Sequence, residues 1–133
     1  MLFRSLIHAE VRGHLLTILQ VDVAPQPFRR RIYAFTELAA IIRPHLGENV
    51  LVLGDFNTPR ESVSLDPLRA EMTQAFESAG DGLAETWPMP LPVLSLDQIW
   101  SGRRLRPVWC EHGYSARSDH RAVIADFDFA AAH

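Results

Sequence analysis

Alternation is the first pattern along the chain. From Arg4 to Val11, Ile7, Ala9 and Val11 fall on one face and Leu6, His8 and Glu10 on the other, as in a half-covered strand. Leu15 to Val23 is nearly continuous in apolar and β-branched residues, which predicts a strand covered on both faces. Only Arg12-Gly13 separates the two runs, and a two-residue, glycine-containing connection predicts a hairpin. Ala24-Pro25-Gln26-Pro27 ends that unit. Beyond it the period changes. Ile32, Phe35, Ala39 and Ile42 recur at helical spacing between Phe28 and Arg43, and Pro44 and Gly47 close the helix. Val50 to Leu53 then reads as a short buried strand. Strand, helix, strand predicts a crossover, with two parallel strands and the helix on one sheet face.

A second helix is expected from a Ser64 cap, with Leu68, Met72, Phe76 and Ala79 as its apolar stripe and Gly80 as its stop. Residues 87–92 (Trp-Pro-Met-Pro-Leu-Pro) form a proline-stiffened connection. Three more strand-like runs follow, Val93 to Trp100, Leu105 to Cys110 and Ala122 to Phe129, with a turn at Ser101-Gly102. No internal repeat or low-complexity tract interrupts them. The class is α/β (α+β): one mixed sheet with two helices on one side, in a single domain spanning 1–133.

Composition narrows the function classes. With 47% hydrophobic and 22% charged residues, the chain has the makeup of a soluble globular protein, and no apolar run approaches a membrane span. The N-terminus lacks the apolar stretch of a signal peptide, so the cytoplasm is the default location. Cys110 stands alone, which excludes an internal disulfide and a four-cysteine zinc site. The formal charge of −3 argues against holding nucleic acid by bulk charge. All 13 basic residues are arginine, so no lysine nucleophile exists; source-genome composition is the plainer reason for that bias.

Three polar clusters sit at ends of apolar strands: Gly54-Asp55-Phe56-Asn57, Leu96-Asp97-Gln98-Ile99 and Ser118-Asp119-His120. Strand ends converge on one rim of a sheet, where α/β proteins place ligands. Two carboxylates, a carboxamide and an imidazole together suit metal-assisted attack on a phosphate. Each cluster alone has a plainer reading. Asp55 reads as a turn residue and Asp119-His120 as a solvated turn, whereas Asp97 within an apolar strand needs a partner. A Ser118-Asp119-His120 hydrolase triad fails, because consecutive residues cannot form a hydrogen-bonded line and no G-x-S-x-G elbow exists.

The motifs VLVLGDFN (50–57), LDQIW (96–100) and SDHRAVIADF (118–127) resemble those of the endonuclease/exonuclease/phosphatase superfamily. The hairpin and helix over 4–43 also look like the stretch that precedes GDFN in that family. The resemblance implies half of a four-layer α/β/β/α sandwich and a divalent-metal-dependent phosphoesterase of the nuclease or phosphatase kind. By resemblance, Asp55 would orient or deprotonate the attacking water and Asn57 would bind phosphate or metal-bound water. Asp119 would assist in positioning metal or water. His120 would contact the scissile phosphate, with Asp97 fixing its tautomer and raising its pKa. Mg²⁺ or Mn²⁺ would rest on Asp119 and Asp55, an incomplete and weak site. Arg29, Arg30 and Arg31 occupy the region where the family has an arginine, with Arg29 and Arg31 the candidates for phosphate contact, which competes with a solvated helix start.

Two departures accompany the match. The family's domain is about twice this length, and the resemblance places this chain as its C-terminal half, without the Asn and metal-ligating Glu of the other half. The expectation is a fragment with little or no activity alone. Asp22 stands where most members have a phosphate-binding His. A sheet face left without its packing partner should be apolar, with Leu16, Ile18, Val52, Val123, Ala125, Phe127 and Phe129 as candidates. The expected partner is a second copy, giving a homodimer, or the missing N-terminal half. The substrate is a phosphate ester of unassigned class, nucleic acid included. Trp87 and Trp109 could stack on a base or a lipid headgroup, though core packing is the commoner use. The competing reading is a non-catalytic module that assembles through its sheet.

Overall fold

The computed structural model describes residues 2–25 and 30–131. The opening strands are β1 (Leu2–Val11) and β2 (His14–Val23), paired antiparallel from Leu2↔Val23 to Val11↔His14. Arg12 (φ 51°) and Gly13 (φ 79°) are both left-handed, the geometry whose twist matches a two-residue hairpin. Helix α1 (Arg31–Ile42) follows and returns the chain to β3 (Val50–Asp55), which lies parallel to β2. The crossover expected from the change of period is therefore present, with α1 on one face of the sheet.

That face carries the core. Leu19, Val21 and Val23 of β2, with Val50 and Val52 of β3, pack against Phe35, Leu38 and Ile42 of α1. Burying each such side chain stabilises the fold by roughly 1.5–3 kcal/mol before entropy is counted. Val52, expected among candidates for an uncovered face, is fully buried in this core instead. Its parity within β3 matches Val50, and the opposite face receives Leu51, Leu53 and Asp55.

The second helix does not run as one piece. A short 3-10 turn at Val63–Leu65 leads into α2 (Asp66–Arg69), then β4 (Thr73–Gln74), then α3 (Ala75–Ala79). The capping hydroxyl belongs to Ser62, which accepts from Ser64 N–H, rather than to Ser64. The break falls where Thr73 and Gln74 pair with β6 (Asp97–Ser101), so sheet hydrogen bonds replace helical ones there. Leu68 and Met72 still reach the core, which is why the apolar spacing resembled one helix.

There are two sheets rather than one. The first has the order β1-β2-β3-β6-β4. The second comprises β5 (Gly80–Asp81), β7 (Leu105–Gly113) and β8 (Ala122–Phe129), in the order β5-β7-β8. Both are mixed in direction. Inward residues of β8 (Val123, Ala125, Phe127, Phe129) are half-buried and alternate with exposed Ala122, Ile124, Asp126 and Asp128. Phe129 stacks on His14 at 4.1 Å between ring centroids, so the far end of β8 reaches the hairpin of the first sheet. Among the described residues, β8 is an edge strand with no further neighbour. Among the described residues, no helix is long and apolar enough to cross a membrane.

Candidate active site

The register of the first sheet brings the chemistry together. Asp22 of β2 is paired with Asp55 of β3, and Asp55 with Asp97 of β6. Directly paired residues share a sheet face, so three carboxylates form a row at one end of the face opposite α1.

Each motif residue has a separate task in building that row. Gly54 has φ 144°, and a Cβ there would lie 1.9 Å from the Val21 carbonyl oxygen. Only glycine permits this close approach of β3 to β2. Phe56 points the other way, fully buried and 6.0 Å from the Phe35 ring and 6.3 Å from Trp100. Asn57 adopts φ 45°, a left-handed conformation that asparagine tolerates. Its backbone N–H donates to Asp55 Oδ1 (2.8 Å) and its amide Nδ2 donates to the Val23 carbonyl (2.8 Å). The turn is thus pinned to the end of β2, and one of the two Asn57 amide protons is already engaged.

Alternation organises the second motif in the same way. Gln98 is buried and donates to the Thr58 carbonyl (2.8 Å) while accepting from Trp100 Nε1 (3.0 Å). Asp97 and Ile99 fall on the opposite face. Asp97 Oδ2 accepts from His120 Nδ1 at 2.6 Å and from the Thr86 hydroxyl at 2.8 Å. His120 is itself held by its backbone N–H on Ser118 Oγ (3.1 Å). Asp119 stands at the solvent edge, with Oδ1 3.9 Å from His120 Nε2 and Oδ2 accepting from Trp87 Nε1 at 3.2 Å.

The environment perturbs two of these groups. Partial burial raises the Asp55 pKa; the Asn57 N–H opposes this, while the neighbouring Asp97 and Asp22 charges reinforce it. For His120, burial alone would lower the pKa, but the hydrogen bond its ring donates to Asp97 and the charges of Asp97, Asp55 and Asp119 outweigh it, and the net direction is up. An open cavity of about 300 Å³ adjoins the row, lined by Leu53, Asp55, Asp97, Ile99 and Arg121 among others.

Asp55, Asp97 and His120 each offer a ligand atom within 4.8 Å of the others. Carboxylate oxygens outnumber the nearby cationic groups, and such hard oxygen donors fit a divalent cation that keeps several of its own waters. One Asp97 oxygen is already spent on Thr86 and His120, which leaves Asp55 as the freer carboxylate of that group; Asp119 stands outside it, at the solvent edge.

The arginines are placed differently. Arg31 donates to Thr58 Oγ1 (3.1 Å), one residue beyond Asn57. Arg29 lies outside the described residues. Thr86 and Trp87 carry more of the site than the sequence indicated: Trp87 is half-buried, with its indole N–H on Asp119 and its ring tilted over His120 at 6.3 Å. Trp87 stood out in the proline-rich run 87–92, but the contacts of Thr86 and Trp87 span 11 and 32 residues and have no local signal.

Residues 7–120 match the Endonuclease/Exonuclease/phosphatase family. The chain belongs to this family. No curated protein matches it at the sequence level. Among solved structures, an endonuclease/exonuclease/phosphatase from Bacteroides vulgatus is 19% identical, with a TM-score of 0.76 over 90% of this chain and 51% of its own. A mannosyl-6-phosphatase of Bacteroides thetaiotaomicron is 15% identical, with a TM-score of 0.67 over 89% of this chain and 53% of its own. The human Nocturnin catalytic domain with bound sulfate is 17% identical, with a TM-score of 0.72 over 97% of this chain and 53% of its own. At these identities the likeness is one of fold. The chain spans about half the length of these structures, and the two-sheet α/β architecture agrees with theirs.

Proposed function

We propose that this chain carries the water-activating and phosphate-contacting side of a divalent-metal-dependent phosphoester hydrolase, slow on its own. The observation that carries the reading is the in-register row of Asp55 and Asp97 beside a hydrogen-bonded His120. Mg²⁺ or Mn²⁺ on Asp55 and Asp119 would supply positive charge to a phosphate that the carboxylate row would otherwise repel. Asp55, with its pKa raised by burial, is suited to orient a water and take its proton. His120 holds its Nδ1 proton on Asp97 and turns Nε2 toward the open rim, where an imidazolium N–H can donate to a phosphoryl oxygen or to the departing oxygen. Asn57 retains one amide proton for a phosphate oxygen or a metal-bound water. Asp22 adds a third carboxylate to the row and so increases its demand for a cation.

The substrate class is set by groups around this rim, and its open cavity admits a small phosphodiester as a probe. The test is hydrolysis of a chromogenic phosphodiester with Mg²⁺ or Mn²⁺, repeated with Asp55→Ala and His120→Ala. Metal-dependent turnover lost in both variants supports the reading. Turnover that survives them refutes it.

A second reading, a non-catalytic module that assembles through its sheets, is favoured by the unpaired β8 edge and by exposed Ile7 and Ile124. The two readings share a partner. A second copy, or a segment of similar length, would extend the edge strand and cover the open face.

A further inference from the structure

We propose that Thr86 is a positioning residue whose hydroxyl fixes the Asp97 carboxylate and thereby presents His120 with its proton on Nδ1. Its consequence for turnover rests on the phosphoester-hydrolase reading; the hydrogen-bond arrangement does not.

Thr86 is completely buried. A hydroxyl has one proton and two lone pairs. Thr86 Oγ1 accepts from Leu96 N–H (3.0 Å) and from Asp97 N–H (3.2 Å), which occupies both lone pairs. Its proton therefore has one well-placed acceptor, Asp97 Oδ2 at 2.8 Å. The alternative, the Leu94 carbonyl, lies at 3.5 Å and already accepts from Thr86 N–H (2.7 Å) and Trp87 N–H (3.0 Å). The direction of the hydrogen bond is thus fixed by the neighbours, not by a free rotor.

The chain of consequence runs to the imidazole. An ionised carboxylate can only accept, so the His120 nitrogen 2.6 Å away bears the hydrogen, and the Thr86 hydroxyl is what keeps that carboxylate oxygen against the ring. Nε2 is left for the rim. The backbone of Thr86 serves the same pair: its carbonyl accepts from Arg121 N–H (2.8 Å), one residue past His120. The next residues carry the hold to Asp119, through Trp87 Nε1 on its carboxylate and Met89 N–H on its carbonyl (2.8 Å). One short segment of the proline-rich loop therefore sets the carboxylate partner, the ring and the flanking acid of the rim together.

A purely structural role would make Thr86 a loop anchor with no effect on the tautomer. The two roles separate by ¹⁵N NMR of the imidazole at about pH 9, where a histidine ring is neutral. In the wild-type chain His120 is expected as the Nδ1–H form. Thr86→Ser keeps the hydroxyl and should keep that form. Thr86→Val keeps the shape but removes the donor, so the Asp97 carboxylate is free to turn away from Nδ1 and His120 should shift toward the Nε2–H form. Its kcat on a chromogenic phosphodiester should drop roughly tenfold, with KM little changed. Retention of the wild-type tautomer in a folded Thr86→Val overturns the proposal. That variant orphans two buried amides and risks unfolding. If it does unfold, the decisive measurement is the Thr86 hydroxyl proton of the wild type. A slowly exchanging resonance close to the His120 Nδ1 proton supports the proposal, and a freely exchanging one overturns it. A wild type without hydrolysis but with the expected tautomer shift removes the hydrolase reading alone. Hydrolysis and tautomer both unmoved in Thr86→Val remove the positioning role alone.

Discussion

Replacing Asp55 with asparagine should stabilise the protein at neutral pH while abolishing its chemistry. Asp55 is partly buried and directly paired with Asp97, and their nearest donor atoms lie within 4.8 Å. Two unit charges at that separation repel by about 0.9 kcal/mol in water-like surroundings and by about 3.5 kcal/mol at an effective dielectric constant near 20. His120 attracts Asp55 and offsets part of this, and the half-exposed setting screens more, so the net relief is about 1 kcal/mol. Asparagine keeps an oxygen to accept the Asn57 N–H, so no hydrogen bond is lost. For a chain of this size the gain corresponds to about 3–5 °C in Tm. The pH dependence gives the signature. Because the folded-state pKa of Asp55 is raised, the folded protein binds more protons than the unfolded chain between the ordinary carboxylate value and the raised one. Wild-type stability contributed by Asp55 is therefore present at low pH and lost as pH rises through the raised value. Asp55→Asn escapes that loss, so the difference between the two should be small in acid and grow toward neutrality. Thermal denaturation followed by circular dichroism from pH 3 to pH 8 measures it. A variant equal to or less stable than wild type at neutral pH, or a difference that does not change with pH, would refute the electrostatic account of the row.

Other expectations concern the scaffold. Gly54→Ala forces a Cβ against the Val21 carbonyl and should cost at least about 3 kcal/mol in urea denaturation, by prising β3 from β2; a loss below 1 kcal/mol contradicts the close-approach reasoning. The His120–Asp97 pair should add stability that is fully present below the ordinary imidazole pKa and lost as pH rises through the raised folded value. His120→Asn removes that dependence in the same denaturation series. Sedimentation velocity at rising concentration should show self-association through the open sheet face, weakened by Ile7→Lys; a monomer at every concentration would argue against a second copy as the covering partner.

What the sequence disclosed follows from which forces are local. The hairpin was legible because Arg12-Gly13 carries the positive-φ turn between two strand-like runs, although β2 buries only alternate residues where its near-continuous apolar run suggested cover on both faces; the crossover was legible because the apolar period changes at α1. The clusters around Asp55, Asp97 and His120 were visible because each lies at an end of an apolar run, but that Asp55 and Asp97 share a face comes from the β3–β6 register, which no local pattern encodes. The broken second helix was not legible. Leu68 and Met72 keep helical spacing although Thr73 and Gln74 join the sheet, a competition decided by β6 more than 20 residues away. Thr86 illustrates the same limit: an ordinary loop threonine becomes the hub of Asp97 only when the 86–96 loop closes on β6. The second sheet was likewise hidden, because strand pattern does not reveal which sheet a strand joins.

A metal-assisted phosphoester-hydrolysing rim should show itself in the turnover of this chain alone. The most direct measurement is the initial rate of bis(4-nitrophenyl) phosphate hydrolysis by the purified chain with Mn²⁺ or Mg²⁺, with chelator, and in Asp55→Ala and His120→Ala. The account predicts slow release of nitrophenolate above the metal blank, abolished by chelator and by each substitution. No release above the blank with either metal, or release indifferent to both substitutions, would contradict it.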